Sequence, residues 1–545
     1  MELISQHAKR IMEGCKERAR EAGLRFQDES LEYIVTNRDL LELSPKIMIP
    51  TLYDYWVQDV EVLRERGRYE LYPSNPYETV INTRPAISYY NDNNPDWLNV
   101  MIFYHVIGHI DFFQNNLFFR HTWDFDFTSR ALSDKRLIAK LRSEKGRWVD
   151  YVIEFSRSID NLVGYFEELA HYAREKDGQQ LSGLDFYFDT FLQSEKKVPI
   201  MDYIKELERY NDLVRRHPED GEFLFLEGVK SRYSEFDSFY EKQKKKERPA
   251  ERLDIFQFLM ENSEFLNREE NQWMLTVMEV VRSTSLYFQP QIRTKILNEG
   301  WASYWHEELF LQDDRIRGHE VDFAIVNAKV TSMPRVGLNP YALGMRLFSY
   351  LEDMANKGRI SMDFLLLKDA AARRRFDTNI EKGRDYIFSV RENCADSMFI
   401  NTFIDQDFVD LHKLFVAGKR LNKERMTWQY YVKSRKAQDY KAMVLDSLYH
   451  PPSIRMEVIE ENTLLLSHVF EGKPLVQDYI RGALLGIEFL WGGQVYLDTS
   501  EVMPQGQVAP PEKSDGRDEA AREILWRKVR YRMKDRRLSR KVAVD

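Results

Sequence analysis

Hydrophobic residues recur at intervals of three and four positions through most of the first 390 residues, in long stretches with few glycines. Trp148, Val152, Phe155 and Ile159 form one such stripe. Residues with this spacing lie on one face of an α-helix, which is the face that packs against a core. The pattern therefore predicts a mainly α, multi-helix domain over residues 1–392.

The pattern changes after about residue 393, where short segments rich in β-branched and aromatic residues alternate with helical stripes. This order predicts a small α+β domain over residues 393–502. The predicted strands are Met398–Ile404, Trp428–Val432, Ile454–Ile459, Leu464–Phe470 and Val495–Asp498, and the predicted helices are Lys436–Leu448 and Leu475–Leu490.

The last segment, residues 503–545, has a different composition. Residues 503–516 hold three prolines and two glycines, which predicts a flexible linker. Residues 519–536 place Leu525, Val529 and Met533 on one helical stripe among many arginines, which predicts a basic amphipathic helix.

Composition and charge narrow the class of protein. The 545 residues are 43% hydrophobic and 31% charged, which is typical of a globular protein, and the only cysteines, Cys15 and Cys394, form no thiolate metal motif. No run of 18 apolar residues occurs, so we expect a cytoplasmic protein without a membrane span. The net charge is −9, yet residues 517–541 carry eleven Arg and Lys against four Asp and Glu. We expect this basic helix to dock an acidic surface, with no specific nucleic-acid partner.

The first candidate for chemistry is a histidine pair. His105 and His109 are four residues apart within a helical stretch, so both imidazoles project from one face and are placed to share a metal ion. Asn116 projects toward the same face and is a candidate cofactor-binding group.

A second stretch, residues 298–308, offers a complementary set. Glu299 and His306 share one helical face, so a carboxylate and another imidazole can approach the histidine pair. Two His and one Glu from a distant helix are the ligands of catalytic zinc in a large class of peptidases, so helices of the zincin type are one arrangement that this pattern allows. In that class a Glu follows the first His as general base, whereas Val106 stands here. The alternative is a buried polar network that only holds helices in register.

The two stretches together resemble the stage V sporulation protein R (SpoVR) family. The resemblance rests on His105 to His109 with Asp111-Phe112-Phe113, on the string Asn298-Glu299-Gly300-Trp301-Ala302-Ser303-Tyr304-Trp305-His306, and on Leu338-Asn339-Pro340-Tyr341 with Gly344. It implies a role linked to sporulation and spore cortex formation, with a serine kinase and a von Willebrand A-type protein as partners. Ser283 and Thr284 stand where the family has paired glutamates, so two acids are absent.

Two functional hypotheses follow. In the first, His105, His109 and Glu299 hold one divalent metal, with zinc expected, for hydrolysis of an amide-type bond. His306 is then a fourth ligand or an acid/base, Glu307 the other candidate base, and Tyr304 an orienting group. In the second, the protein is a non-catalytic regulatory or assembly factor whose C-terminal domain and basic tail bind a partner.

Overall fold

A computed structural model describes residues 2–27, 29–36, 78–123, 127–163, 183–196, 198, 200–217, 220–240, 254–422, 427–448, 451–460, 462–503 and 526–542. The chain forms two compact units, one of Met1–Tyr165 with Ile255–Asp545 and the other of Phe166–Asp254. The domain boundaries expected at residues 392 and 502 stay predictions, and the expected linker lies, from residue 504 on, outside the described residues.

Helices dominate the described chain, as the hydrophobic spacing predicts. They are α1 (Gln6–Glu21), α2 (Asp96–Asn115), α3 (Phe127–Lys145), α4 (Trp148–Arg157), α5 (Gly183–Asp185), α6 (Ile200–Arg216), α7 (Gly221–Arg232), α8 (Ile255–Asn262), α9 (Gln272–Arg293), α10 (Lys295–Phe310), α11 (Glu320–Thr331), α12 (Pro340–Asn356), α13 (Met362–Leu366), α14 (Ala370–Arg375), α15 (Gly383–Asn393), α16 (Asp396–Phe403), α17 (Gln406–Leu411), α18 (Ala437–Ser447) and α19 (Gln477–Trp491). A π-helix (Phe186–Glu195) follows α5.

The strands form three sheets. Their bounds are β1 (Glu2–Leu3), β2 (Ser30–Val35), β3 (Glu78–Ile81), β4 (Ala86–Asn91), β5 (Val416–Asn422), β6 (Thr427–Ser434), β7 (Ser453–Glu460), β8 (Thr463–Val469), β9 (Gln494–Val502), β10 (Trp526–Lys534) and β11 (Arg537–Val542). The N-terminal sheet has the order β1-β2-β4-β3, β5 pairs with β6, and the C-terminal sheet has the order β11-β10-β9-β8-β7. In the C-terminal sheet β8 and β9 are parallel and α19 connects them. The fold class is therefore confirmed as a helical region followed by a small α+β part.

Two predicted elements are wrong. The segment Met398–Ile404 lies mostly in helix α16, because Phe399 and Ile400 both pack into the helical core and Asp396 opens the helix. The basic amphipathic helix is wrong over residues 526–536, where the chain forms β10 and the turn into β11. Buried and exposed positions alternate along β10 with a period of two, as in a strand with one buried face.

The unit of residues 166–254 has an aromatic core of its own. The π-helix supplies Phe186, Tyr187 and Phe191, and these side chains cluster with Phe225 of α7 and with Phe236. This cluster supports the helical interpretation of the region. Across both units, the described helices include none that is long and apolar enough to span a membrane.

Helix α10 lies between α2 and α12 at very short range. A Cβ atom added to Gly300 of α10 would lie 2.4 Å from the Cα of Gly344 in α12, and one added to Gly108 of α2 would lie 2.8 Å from the Cα of Ala302. Distances below 3 Å to backbone atoms leave no room for a side chain. The glycines therefore set the spacing of α10, which carries Glu299, from α12 and from α2, which carries the two histidines.

A second buried contact fixes the end of α10. Asp313 accepts a hydrogen bond from the Tyr104 hydroxyl at 2.6 Å and another from Arg315 Nε at 2.9 Å, while Arg315 also donates to the Ile11 carbonyl oxygen of α1 at 2.8 Å. Burial alone would raise the pKa of Asp313, but the hydrogen bonds from Arg315 and Tyr104 outweigh it and lower the pKa to about 2. The ionised carboxylate thus joins α1, α2 and the residues that follow α10.

We predict that Gly300→Ala lowers the free energy of unfolding by about 1–3 kcal/mol, because the added methyl group separates α10 from α12. Gly482→Ala is the matched control, since Gly482 lies in helix α19 with no atom within 4 Å of its added Cβ. The control should keep or raise the midpoint of urea denaturation, because Ala is the better helix former. Equal midpoints for Gly300→Ala and the wild type would contradict the close contact.

We also predict that Asp313→Asn destabilises the fold in a pH-dependent way. The pKa of about 2 in the folded protein lies below the ordinary aspartate value of 3.8, so the carboxylate stabilises the fold fully above pH 4 and the effect is lost as pH falls toward 2. The variant should lose about 2 kcal/mol at pH 7 and less at pH 3, as measured by urea denaturation. Asp314→Asn, at an exposed position, is the control. A deficit that stayed constant with pH would contradict this assignment.

Candidate metal centre

Three of the predicted ligands converge inside the helical core. His105 and His109 point inward from α2, and Glu299 faces them from α10. Glu299 Oε2 lies 3.8 Å from His105 Nε2 and 3.6 Å from His109 Nε2. One ligand atom from each of the three side chains lies within 4.8 Å of the others. The helical spacing therefore predicted correctly which side chains share this space.

A chain of hydrogen bonds sets the proton positions on two of the histidines. Asn327 of α11 donates through Nδ2 to Glu307 Oε2 at 2.9 Å, so its Oδ1 faces His306 Nε2, also at 2.9 Å. Because Oδ1 can only accept, the proton of neutral His306 is on Nε2, and its Nδ1 is an acceptor. His105 Nδ1 lies 2.9 Å from that atom and donates to it. His105 Nε2 therefore carries a lone pair that points toward Glu299.

His109 is oriented in the same manner by a different amide. Its Nδ1 lies 2.8 Å from Asn298 Oδ1, so Nδ1 donates and Nε2 keeps a lone pair. Metal-binding histidines ordinarily have their second nitrogen held in this way. Both imidazoles of the pair thus present a lone pair to one point beside the carboxylate.

The pKa values match this arrangement. Burial, aided by neighbouring His105, lowers the pKa of His109 to about 4, and the same two causes lower the pKa of His306 to about 3. Both rings are therefore neutral at pH 7. A neutral imidazole is the protonation state in which His109 can bind a divalent metal.

Two buried atoms of the cluster lack a protein partner. Among the described residues, neither His105 Nε2 nor Glu299 Oε2 has a hydrogen-bond partner. Buried polar atoms almost always have a hydrogen-bond partner, and a site for a bound ion is one of the ordinary reasons for an exception. The donor set of two nitrogens and one oxygen is one that zinc accepts. The residues present therefore fit a divalent metal ion.

A cavity of about 340 Å³ adjoins the cluster. Its wall is mainly apolar, with His105, His306 and Tyr341 among the groups that line it. The Tyr341 ring stacks on His105, with 6.0 Å between the ring centroids. The cluster is thus next to a space that can hold a small ligand.

The other predicted site residues have different roles in the structure. His306 uses both ring nitrogens in the hydrogen-bond chain, and Glu307 holds Asn327. The Tyr304 hydroxyl donates to Glu352 at 2.5 Å. Asn116 ends α2 and donates from Nδ2 to the carbonyl oxygens of Arg391, at 2.7 Å, and Cys394. The structure therefore brings His306 and Glu307 to the edge of the cluster, while Tyr304 and Asn116 make contacts elsewhere.

Sequence reasoning missed several residues that position the cluster. Asn298 directly precedes Glu299 in the motif of residues 298–306, so its position next to His109 could have been predicted from the sequence. Asn327 lies in no motif, so its role could not. On another face of α2, buried Asp111 accepts from Trp301 Nε1 at 2.8 Å and lies 3.3 Å from Arg391 Nε. Asp111 and Trp301, which both belong to the motifs that resemble the SpoVR family, therefore have a structural role.

Ser283 and Thr284, which stand where the resemblance implies paired glutamates, lie on α9. Ser283 Oγ and Thr284 Oγ1 both donate to the Val280 carbonyl oxygen of their own helix, at 3.1 Å and 2.8 Å. The two hydroxyl groups are therefore satisfied within α9.

Comparison with known proteins supports the resemblance in the motifs. The model of the family described as SpoVR like protein matches residues 3–449, which is most of the chain. The chain belongs to the SpoVR family. A relative from Escherichia coli (strain K12), described as uncharacterized protein YcgB, is 26% identical over 336 residues. The match covers 58% of this chain and 58% of that protein. No solved structure matches the chain.

Proposed function

We propose that this SpoVR family member binds one divalent metal ion through His105, His109 and Glu299, and that the ion is zinc. The observation that carries the proposal is the convergence of two imidazole lone pairs on a partly buried carboxylate, one oxygen of which is buried and has no hydrogen-bond partner among the described residues. Three protein ligands with an open position distinguish catalytic zinc sites from closed structural ones.

We further propose that the centre serves hydrolysis of an amide-type bond in a substrate that enters the adjoining cavity. A divalent metal supplies Lewis acidity, which polarises a carbonyl group and makes water more acidic. The chain's own contribution is orientation: Asn327 and Asn298 hold the imidazoles, and Tyr341 and His306 line the cavity.

The general base differs from that of common zinc peptidases. Val106 is buried and cannot accept a proton, and both His306 nitrogens are engaged. One carboxylate oxygen of Glu307 accepts a hydrogen bond from Asn327. We therefore treat His306 as a positioning residue and assign the base to no residue. The family's link to sporulation, and to a serine kinase and a von Willebrand A-type protein, stays an expectation for this chain.

The metal content of the purified protein tests the proposal. We predict about one zinc ion per chain in wild type purified without added metal, and none in His105→Ala/His109→Ala, by inductively coupled plasma mass spectrometry. His7→Ala/His217→Ala, at exposed positions, should keep the metal. Circular dichroism confirms folding in each variant.

Either of two results would count against the metal centre: wild type without metal under these conditions, or equal metal in both double variants. Metal present without turnover of peptide or cell-wall amides would leave the binding proposal standing and refute the hydrolytic one.

We predict that Asn327→Ala weakens zinc affinity about 10- to 100-fold, because His306 and then His105 lose their fixed proton positions. Asn116→Ala is the control: it removes hydrogen bonds to backbone at the end of α2 and should lower the melting temperature without changing zinc affinity. Competition with a chromophoric chelator measures both. Equal affinities in wild type and Asn327→Ala would contradict the hydrogen-bond chain.

A further inference from the structure

The C-terminal sheet has one covered face and one open face. Leu484, Ile487 and Leu490 of α19 pack with buried strand residues such as Leu497 and Tyr531. Along β10, the residues between the buried ones are exposed. The strand registers place alternate residues of β11 and β9 on the same open side.

This open side, which we call the basic face, is rich in cations. Seven exposed Arg and Lys side chains lie on it, against the three acids Glu457, Glu460 and Asp498. The cations are Arg455, Lys528, Arg530, Arg532, Lys534, Arg537 and Lys541. The excess is notable because the whole chain has a net charge of −9. Such a local reversal of sign attracts a polyanion.

Most of these cations are not used by the fold. Arg530 pairs with Asp498 at 2.6 Å, and Arg532 donates to Gln494. By contrast, Lys528, Lys534, Arg537 and Lys541 have no ion-pair partner within the part of the chain that the structure describes. Their charges are therefore available to a ligand.

The basic face also offers groups that suit nucleobases. Tyr496 lies on β9, next to Arg532 on β10 and Leu465 on β8, and the Arg530 guanidinium lies 5.4 Å from its ring centroid. Aromatic rings and guanidinium planes both stack on bases. Cations on alternate strand positions are about 6.7 Å apart, so they form rows on which an extended phosphate backbone can lie.

We propose that the basic face binds single-stranded nucleic acid, with Lys528, Lys541 and their neighbours on the phosphates and Tyr496 beneath a base. An open sheet with stacking rings is a surface that single strands use, whereas duplex grooves take a helix or a narrow ribbon. The face lies beyond residues 3–449, so the family match does not cover it. The proposal is independent of the metal centre.

Fluorescence anisotropy with a labelled 20-nucleotide single strand of mixed sequence tests this, using the full chain. We expect Lys528→Glu/Lys541→Glu to raise the Kd about tenfold or more and to reduce the slope of log K against log salt by about 1.4. Lys368→Glu/Lys382→Glu changes the net charge equally at exposed positions elsewhere and should leave Kd within about twofold of wild type.

Stacking has a separate readout. Tyr496→Ala should raise the Kd about tenfold, and Tyr496→Phe should retain wild-type binding. Circular dichroism checks that each variant is folded. Absence of binding in wild type, or equal loss in both charge-reversal pairs, would overturn the proposal. Binding of polyglutamate or of phosphatidylserine vesicles as tight as that of the oligonucleotide, with no effect of Tyr496→Ala, would overturn it in favour of an acidic protein or membrane surface.

Discussion

The close approach of α10 to α2 and α12 is the constraint on which the candidate centre depends. Gly108 against Ala302, and Gly300 against Gly344, let the three backbones come together where any larger side chain would separate them. The side chains of His105 and His109 on α2 can then meet that of Glu299 on α10. The glycines of the family motifs are therefore as much a part of the site as its ligands.

The hydrogen bonds around the cluster supply what backbone spacing alone cannot. Neutral imidazole has two tautomers, and only one of them offers a metal the nitrogen that faces Glu299. The amides of Asn298 and Asn327 select that tautomer at His109 and, through His306, at His105. Desolvation lowers the pKa of His109, so burial keeps the ring neutral and ready to bind. The hydrogen bonds and the burial of His109 thus favour the same state, a neutral imidazole whose Nε2 can bind a metal.

The sequence allowed prediction of the helical class and of the His105, His109 and Glu299 cluster, because a period of 3.6 fixes which side chains share a face. It did not allow prediction of Asn327, since its helix meets His306 only through tertiary packing. The C-terminal error has a specific cause. Val529 and Met533 are four residues apart, a spacing that places them on one side of either a helix or a strand. Buried Tyr531 lies midway between them, which only the strand explains.

The location of bound zinc tests the central claim most directly, by anomalous diffraction at the zinc absorption edge from crystals of the full chain. We predict one peak at about 2.0–2.2 Å from His105 Nε2, His109 Nε2 and a Glu299 carboxylate oxygen. A peak bound by other side chains, with these three still held only by one another, would contradict the assignment of the metal centre.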